Sequence, residues 1–307
     1  MRILFFDISF HRHTRSSYFF SDLLEGRGEV VRLWDERWEG GPAADPTPWE
    51  NGSVDVAVFW QLLLPPAELL QLQYRSLVWV PMWDALHNVP DVALRPYLIA
   101  KPRVLCFCRV LYERLSGLGF NCLYTKYFPA LPEEPVRARE GISVFFSQRR
   151  NAPNWETVKR LLGDEMPHRI FIKNAMDPGC RWYSPAPEEI RRYNVSIIDG
   201  WMDQTAYYDL LRSCTVFIAP RRREGIGLSL LDAMSLGMCV VSGDEATANE
   251  YIVSGTNGLL YPPEAPRAID LSMAATLGEV SRETVRQGRK AWIENIDRVM
   301  SFVFGEG

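Results

Sequence analysis

The stretch VFIAPRRREGIGLSLLDAMSLGMCVVSG, residues 216–243, decides the architecture. An apolar run ends at Pro220. Three arginines and a glutamate follow, then Gly-x-Gly opens a helical pattern, and a second apolar run closes the unit. The first run is nearly continuous, as expected of a parallel strand covered on both faces. The helix is predicted to start near Gly227, with Leu228, Leu231 and Met234 at core spacing. Its first N–H groups and the positive end of its dipole make an anion site. Gly225 and Gly227 let a phosphate approach the backbone, and the arginines beside them supply counter-charge. Gly-x-Gly alone fits a structural turn as well, since the full GxGxxG fingerprint is absent.

The same alternation of strand and helix runs through most of the chain. In the first half, strands are predicted at 2–7, 29–34, 54–60, 76–81, 103–108 and 121–127, with helical segments such as 16–24 and 109–119 between them. Residues 128–141, FPALPEEPVRAREG, are rich in proline and charge and lack an apolar period. The pattern then restarts, with strands at 142–147, 169–173, 195–199, 215–220, 238–243 and 258–262. Helices are expected at about 154–163, 185–192, 203–213, 227–237 and 246–254, and the tail 265–303 reads as helical. The fold class is therefore α/β, with two Rossmann-like doubly wound domains. The boundaries read as 1–130, a linker at 131–141, 142–290, and a last helix at 291–307 that can return to the first domain.

Bulk properties narrow the function. A net charge of −4 and a pI near 5.7 argue against a nucleic-acid binder. No apolar run approaches the roughly 20 residues that span a bilayer. The start, MRILFFDISFHRH, reads as a first strand rather than a signal peptide. Six cysteines without CxxC pairs read as reduced thiols of a cytoplasmic protein, and no regular ligand spacing suggests a metal site.

Glu224 and Asp232, eight residues apart, flank the helix start. A carboxylate repels a diphosphate but accepts hydrogen bonds from sugar hydroxyls. Eight residues of helical rise cover about 12 Å, comparable to the span from a ribose to a sugar across a diphosphate. One carboxylate can then hold each sugar, with the phosphates between them. An acid near a helix start can also merely complement the dipole.

The run P-RRR-EGIGLSLLDAMSLGMCVVSGDEATANEYIVSGTNGLLYPP resembles the donor-site signature of retaining glycosyltransferases of the GT-B fold. The matching positions are Pro220, Glu224, Gly225, Gly227, Asp232, Ala233, Met234, Gly237, Val240, Glu250, Gly258, Leu259 and Leu260, and Gly200 is in place upstream. The resemblance covers about 45 residues and implies a GT-B architecture, two domains facing a crevice. It implies transfer of a sugar from a nucleotide diphosphate sugar to an acceptor hydroxyl, with retention and without a bound metal or other cofactor. Glu224 would contact the transferred sugar, Asp232 the ribose, and the Gly225, Ile226, Gly227 and Leu228 backbone the phosphates. Asp232 departs from the family's glutamate by one methylene, and Arg221 stands where the family has a serine.

The family also has Gly-Arg after the first strand of this domain and a lysine a few residues on, both binding the diphosphate. Here Arg149 and Arg150 follow the strand, but Pro153 and Asn154 fall at the lysine position. Arg149 is the expected phosphate partner, with Arg150 beside it and Lys173 as a substitute cation. In the first half the resemblance rests on element order alone. The family presents a histidine after the fourth strand, which points to His87, or to Asp84, as a partner of the donor sugar. His11, Arg12, His13 and Arg15 occupy the loop after the first strand and can bind an anion. Trp79, Trp83 and Trp155 lie near strand ends and can stack on rings or simply pack.

The expected partners are a nucleotide-sugar donor and a glycan, lipid-linked or small-molecule acceptor, with no nucleic acid. Peripheral contact at the inner face of a membrane stays open. No Asp-x-Asp motif occurs, which disfavours a metal-held diphosphate. A non-catalytic nucleotide-sugar binder and another enzyme of the same fold, such as an epimerase, are the alternatives.

Overall fold

The computed structural model describes residues 1–44, 54–133, 141–200 and 202–306. The chain divides into two compact units, one made of Met1–Lys126 with Trp292–Gly307 and one of Tyr127–Ala291. Of the linker residues, 134–140 lie outside the described residues.

In unit 1 the strands are β1 (Arg2–Ile8), β2 (Glu29–Asp35), β3 (Val54–Trp60), β4 (Tyr74–Val80), β5 (Arg103–Cys106) and β6 (Asn121–Tyr124). The helices are α1 (His11–Thr14), α2 (Tyr18–Glu25), α3 (Pro66–Leu69), α4 (Trp83–Leu86), α5 (Asp91–Leu94) and α6 (Arg109–Gly117). The strands form one parallel sheet, in the order β2-β1-β3-β4-β5-β6. Its central strands are apolar on both faces because helices cover both. Phe5, Phe20 and Phe107 pack round Trp60 at ring distances of 5.9, 5.4 and 6.1 Å. From the C-terminal segment, Trp292 lies 6.2 Å from both Phe19 and Phe107, and the Val303 carbonyl accepts from Ser76 at 2.8 Å.

Unit 2 repeats the scheme with β7 (Ser143–Gln148), β8 (Arg169–Asn174), β9 (Val195–Asp199), β10 (Val216–Ile218), β11 (Cys239–Gly243) and β12 (Leu259–Tyr261). Between and after them come α7 (Trp155–Leu162), α8 (Pro187–Arg192), α9 (Gln204–Arg212), α10 (Leu228–Ser235), α11 (Ala248–Tyr251) and α12 (Ala274–Phe304), the last of which ends in unit 1. The sheet order is β12-β11-β10-β7-β8-β9, all parallel. Its core joins Val144, Phe146, Ile170, Ile172, Val216 and Val241 to Trp155, Val158 and Leu161 of α7. Near the start of α12, Gly278 touches the turn between α10 and β11. A Cβ there would stand 2.2 Å from the Gly237 carbonyl oxygen, so no larger residue fits without backbone movement.

Every predicted strand is present. Three expectations need correction. The tail is not helical from 265: α12 begins at Ala274. Pro262, Pro263 and Pro266 disfavour an earlier start, and Ile269 instead bonds the Leu161 carbonyl at 2.9 Å. The segment holding His11 and His13 is a helical turn rather than a loop, because His11 is drawn back to Asp7 four residues earlier. Trp155 is a core residue that is 2% exposed, its indole N–H donating to Glu189 at 2.8 Å, so it presents no ring face to a ligand.

Candidate active site

The order of the unit 2 sheet fixes where a ligand can sit. The chain enters at β7, moves outward to β8 and β9, then returns to the other side of β7 as β10. The segments leaving β7 and β10 therefore diverge, and a crevice opens at their C-terminal ends. Arg149 and Arg150 leave β7, and Pro220 and Arg221 leave β10. Buried Gln148 pins the first of these loops by donating to the carbonyls of Arg150 at 3.2 Å and Arg181 at 3.0 Å.

Asp177, from the loop after β8, lies under this junction with its side chain 2% exposed. Its Oδ1 accepts from Arg149 Nε at 2.9 Å and Nη2 at 2.5 Å. Its Oδ2 is 2.7 Å from Arg150 Nε and accepts from Arg221 Nη2 at 2.7 Å. Lys173, near the end of β8, is buried, with its ammonium 5.9 Å from the Tyr207 ring centre. Burial pushes its pKa down, and the Arg149 charge pushes it further. The structure thus brings Arg149, Arg150 and Lys173 to one end of the sheet.

The arginine triplet does not act as one block, contrary to the idea that it lines an anion site together. Arg222 binds Glu245 at 2.5 Å and Glu264 at 2.6 Å, and Arg223 lies 3.6 Å from Glu245. Only Arg221 reaches Asp177. The two glutamates that divert its neighbours come from segments beyond β11, which no local reading of the triplet reveals.

Gly227 caps α10 with φ +79°, a conformation that L side chains avoid. Glu224 is half-buried in the turn before it, and its carbonyl accepts from the Thr247 hydroxyl at 2.8 Å. Ile226 is buried, while Gly225 and Leu228 are half-buried. Because α10 spans Leu228–Ser235, the segment from Glu224 to Asp232 is helical for only its second half. Helical rise then accounts for about 6 Å, not about 12 Å, and the turn sets the rest of the separation.

Asp232 sits on α10 among Leu230, Leu231, Ala233 and Met234, all buried. Burial lifts its carboxyl to about 6, partly offset by a hydrogen bond from Tyr208 of α9. The same burial and the Asp232 charge push the phenols of Tyr207 and Tyr208 upward, and lift Tyr127 to about 12. Tyr207 also feels Arg149, which opposes its rise. One phenol therefore lies within electrostatic range of both the arginine cluster and the Asp232 carboxylate.

In unit 1, His87 follows α4, half-buried, with Nδ1 3.0 Å from the Asp84 carbonyl and its ring 6.1 Å from Trp83. Trp79 is buried beside Tyr97. His11 is 8% exposed, with Nδ1 2.6 Å from the fully buried Asp7. Arg12, His13 and Arg15 are exposed, and Arg12 and Arg15 lie over Trp34 and Tyr18. All six cysteines are free thiols. Among the described residues no cluster of three or more His, Cys, Asp or Glu is placed to hold a metal ion, and no helix is long and apolar enough to cross a membrane.

Sequence reasoning missed Asp177, Tyr208 and Thr247. Asp177 lies in the turn-rich run NAMDPGC, where an aspartate ordinarily marks a turn. Tyr208 and Thr247 gain their significance only from contacts made in the folded chain.

Residues 184–278 match the family model described as glycosyl transferases group 1. The match covers about a third of the chain. The matched segment runs from just before α8 to the start of α12 and contains Arg221, Glu224, Asp232 and Thr247. Arg149, Lys173 and Asp177 precede it. Solved structures place the whole chain in the GT-B fold class. It resembles sucrose-phosphate synthase from Thermosynechococcus elongatus at a TM-score of 0.69 and 14% identity, over 100% of both chains. The lipopolysaccharide outer core galactosyltransferase WaaB, in its apo form, aligns at 0.62 and 13%, again over 100% of both. HepE of Anabaena, in complex with UDP-glucose, aligns at 0.58 and 13%, over 98% of this chain and 99% of that one. No curated protein matches by sequence. The match to glycosyl transferases group 1 and the shared fold agree with each other.

Proposed function

We propose that the chain moves a sugar from a nucleotide diphosphate sugar to an acceptor hydroxyl, with retention and without a bound metal. The observation that carries this reading is the junction at the ends of β7 and β10. There Arg149 and Arg150 meet Arg221 on the Asp177 carboxylate, and Lys173, near the end of β8, lies 5.9 Å from the Tyr207 ring centre. In the transfer the acceptor oxygen bonds the anomeric carbon as the bond from that carbon to the diphosphate breaks. The electron pair of the broken bond stays on the departing phosphate oxygen, which takes up the proton the acceptor hydroxyl gives off. Arginines, Lys173 and the backbone N–H groups from Gly225 to Leu228 are assigned the stabilisation of that charge. Asp232 is assigned the ribose hydroxyls and Glu224 the transferred sugar, since ionised carboxylates accept hydrogen bonds without supplying a proton. His87 is the proposed partner of a sugar hydroxyl in unit 1. Retention follows from the resemblance of the Glu224–Asp232 segment to the family signature. The absence of an Asp-x-Asp motif and the supply of arginines support metal independence.

The test begins with a thermal-shift screen of UDP, GDP and ADP, in which one base stabilises the chain. Turnover follows with the matching sugar nucleotides and EDTA present. Glu224→Ala is expected to abolish transfer with an unchanged melting profile. Full activity in that variant removes Glu224 from the mechanism, and nucleotide binding without donor turnover favours the non-catalytic binder.

A further inference from the structure

Asp177 is unusual in its company. Its carboxylate, 2% exposed, holds three guanidiniums that come from both sides of the switch point: Arg149 and Arg150 after β7, and Arg221 after β10. Lys173 lies near the end of the neighbouring strand β8. The three arginine side chains remain 20%, 41% and 20% exposed, so the cluster is open to solvent on one side. The three guanidiniums stand at the C-terminal ends of parallel strands, on both sides of the switch point, where such sheets bind ligands. Guanidinium forks held in fixed orientation suit the paired oxygens of a phosphate.

We propose that Asp177 is a positioning residue that gathers Arg149, Arg150 and Arg221 into a single grip for the diphosphate of the donor. In this arrangement Arg221 supplies, from the β10 side, the cation that the β7 loop lacks at Pro153 and Asn154. The proposal rests on the reading that unit 2 binds a nucleotide diphosphate. It adds two residues to that site and gives each a distinct part. Arg221 touches the diphosphate, and Asp177 acts through the arginines. Asp177 pulls one edge of each fork inward, which fixes the direction in which the rest of the fork points.

Removing Asp177 separates orientation from charge. Asp177→Asn keeps the shape but makes the site more positive. If charge alone governed binding, this variant would hold an anion more tightly. If Asp177 orients the forks, it holds a diphosphate more weakly.

The experiment is calorimetric titration of the full chain with inorganic pyrophosphate and with orthophosphate, in parallel with donor turnover. Arg221→Ser is expected to weaken pyrophosphate binding about tenfold or more, with Arg221→Lys restoring part of the loss. Asp177→Asn is expected to weaken pyrophosphate binding and to narrow its advantage over orthophosphate. A control, Arg169→Ser, removes the same charge at the far end of β8 and is expected to bind as wild type does. Pyrophosphate affinity in Arg221→Ser equal to wild type overturns the proposal, as does tighter binding in Asp177→Asn. Where Asp177→Asn fails to fold, Arg221→Ser and Arg221→Lys still decide the matter. The two readings fail separately. Wild-type pyrophosphate affinity in Arg221→Ser, alongside normal turnover, sinks the grip and leaves the transferase reading. Pyrophosphate binding that depends on Arg221 and Asp177, in a chain that turns over no sugar nucleotide, does the reverse.

Discussion

The side-chain hydroxyl of Thr247 donates to the backbone carbonyl of Glu224 at 2.8 Å. Thr247 is fully buried and holds φ +76°, a conformation rarely adopted by a β-branched residue. Such a backbone costs on the order of 1–3 kcal/mol and persists where the surroundings enforce it. Here the bond ties the segment after β11 to the turn that presents Glu224. Thr247→Ala is expected to lower stability by about 1 kcal/mol through the lost bond and to slow transfer. Thr247→Gly relieves the backbone but also lacks the hydroxyl, so its stability should be close to wild type while transfer falls as in the alanine variant. Denaturant unfolding and donor turnover on the pair check this. Full turnover in both removes Thr247 from the support of Glu224.

Asp232 gives the chain a pH signature. Its carboxyl is lifted from 3.8 to about 6 by burial. Ionising it in the fold is therefore unfavourable, by about 3 kcal/mol once ionisation is complete. That penalty is absent below pH 3.8, grows as the pH rises from there, and is complete above about 6. Asp232→Asn is expected to raise unfolding stability at pH 8 and to leave it nearly unchanged at pH 4. The same variant should bind nucleotide more weakly, because an amide is a poorer acceptor for ribose hydroxyls than a carboxylate. Equal stability gains at both pH values argue against burial as the cause.

Lys173 behaves in the opposite sense. Its pKa is depressed by burial and by Arg149, so the charged form is penalised at neutral pH. That penalty is lost as the pH rises through the lowered value towards the ordinary one. Lys173→Met should therefore melt higher than wild type at pH 7 and bind pyrophosphate more weakly. A variant that loses stability at pH 7 contradicts a penalty on the buried ammonium.

Gly278→Ala addresses packing alone. The added methyl meets the Gly237 carbonyl oxygen at 2.2 Å, a backbone atom that cannot rotate away. Overpacking of this kind costs about 1–3 kcal/mol or more. A melting temperature equal to wild type would show that the start of α12 yields freely.

Much of this was legible in the residues. The strands of both sheets are continuous apolar runs, and parallel sheets buried on two faces write themselves that way in sequence. Glycine at 227 and an acid inside an apolar helix at 232 announced themselves as local anomalies. Four-residue turns such as His11–Thr14 and Trp83–Leu86 did not, since they are too short to show a helical period. The division of labour within the arginine triplet was also hidden. Asp177 lies 44 residues before Arg221 in the chain, and Glu245 lies 23 beyond Arg222. Charge partners that far apart leave no mark on either segment alone.

Unit 1 consists of two stretches of chain, and unit 2 is the uninterrupted run between them. During synthesis on the ribosome, Tyr127–Ala291 has all its residues before Trp292 and Val303 emerge to join the earlier sheet. The nascent first sheet must wait, with Phe19, Phe107 and Ser76 lacking those late partners, until all of the second unit has been made. A stop codon shortly after residue 291 would thus spare the later-made body and injure the one made first.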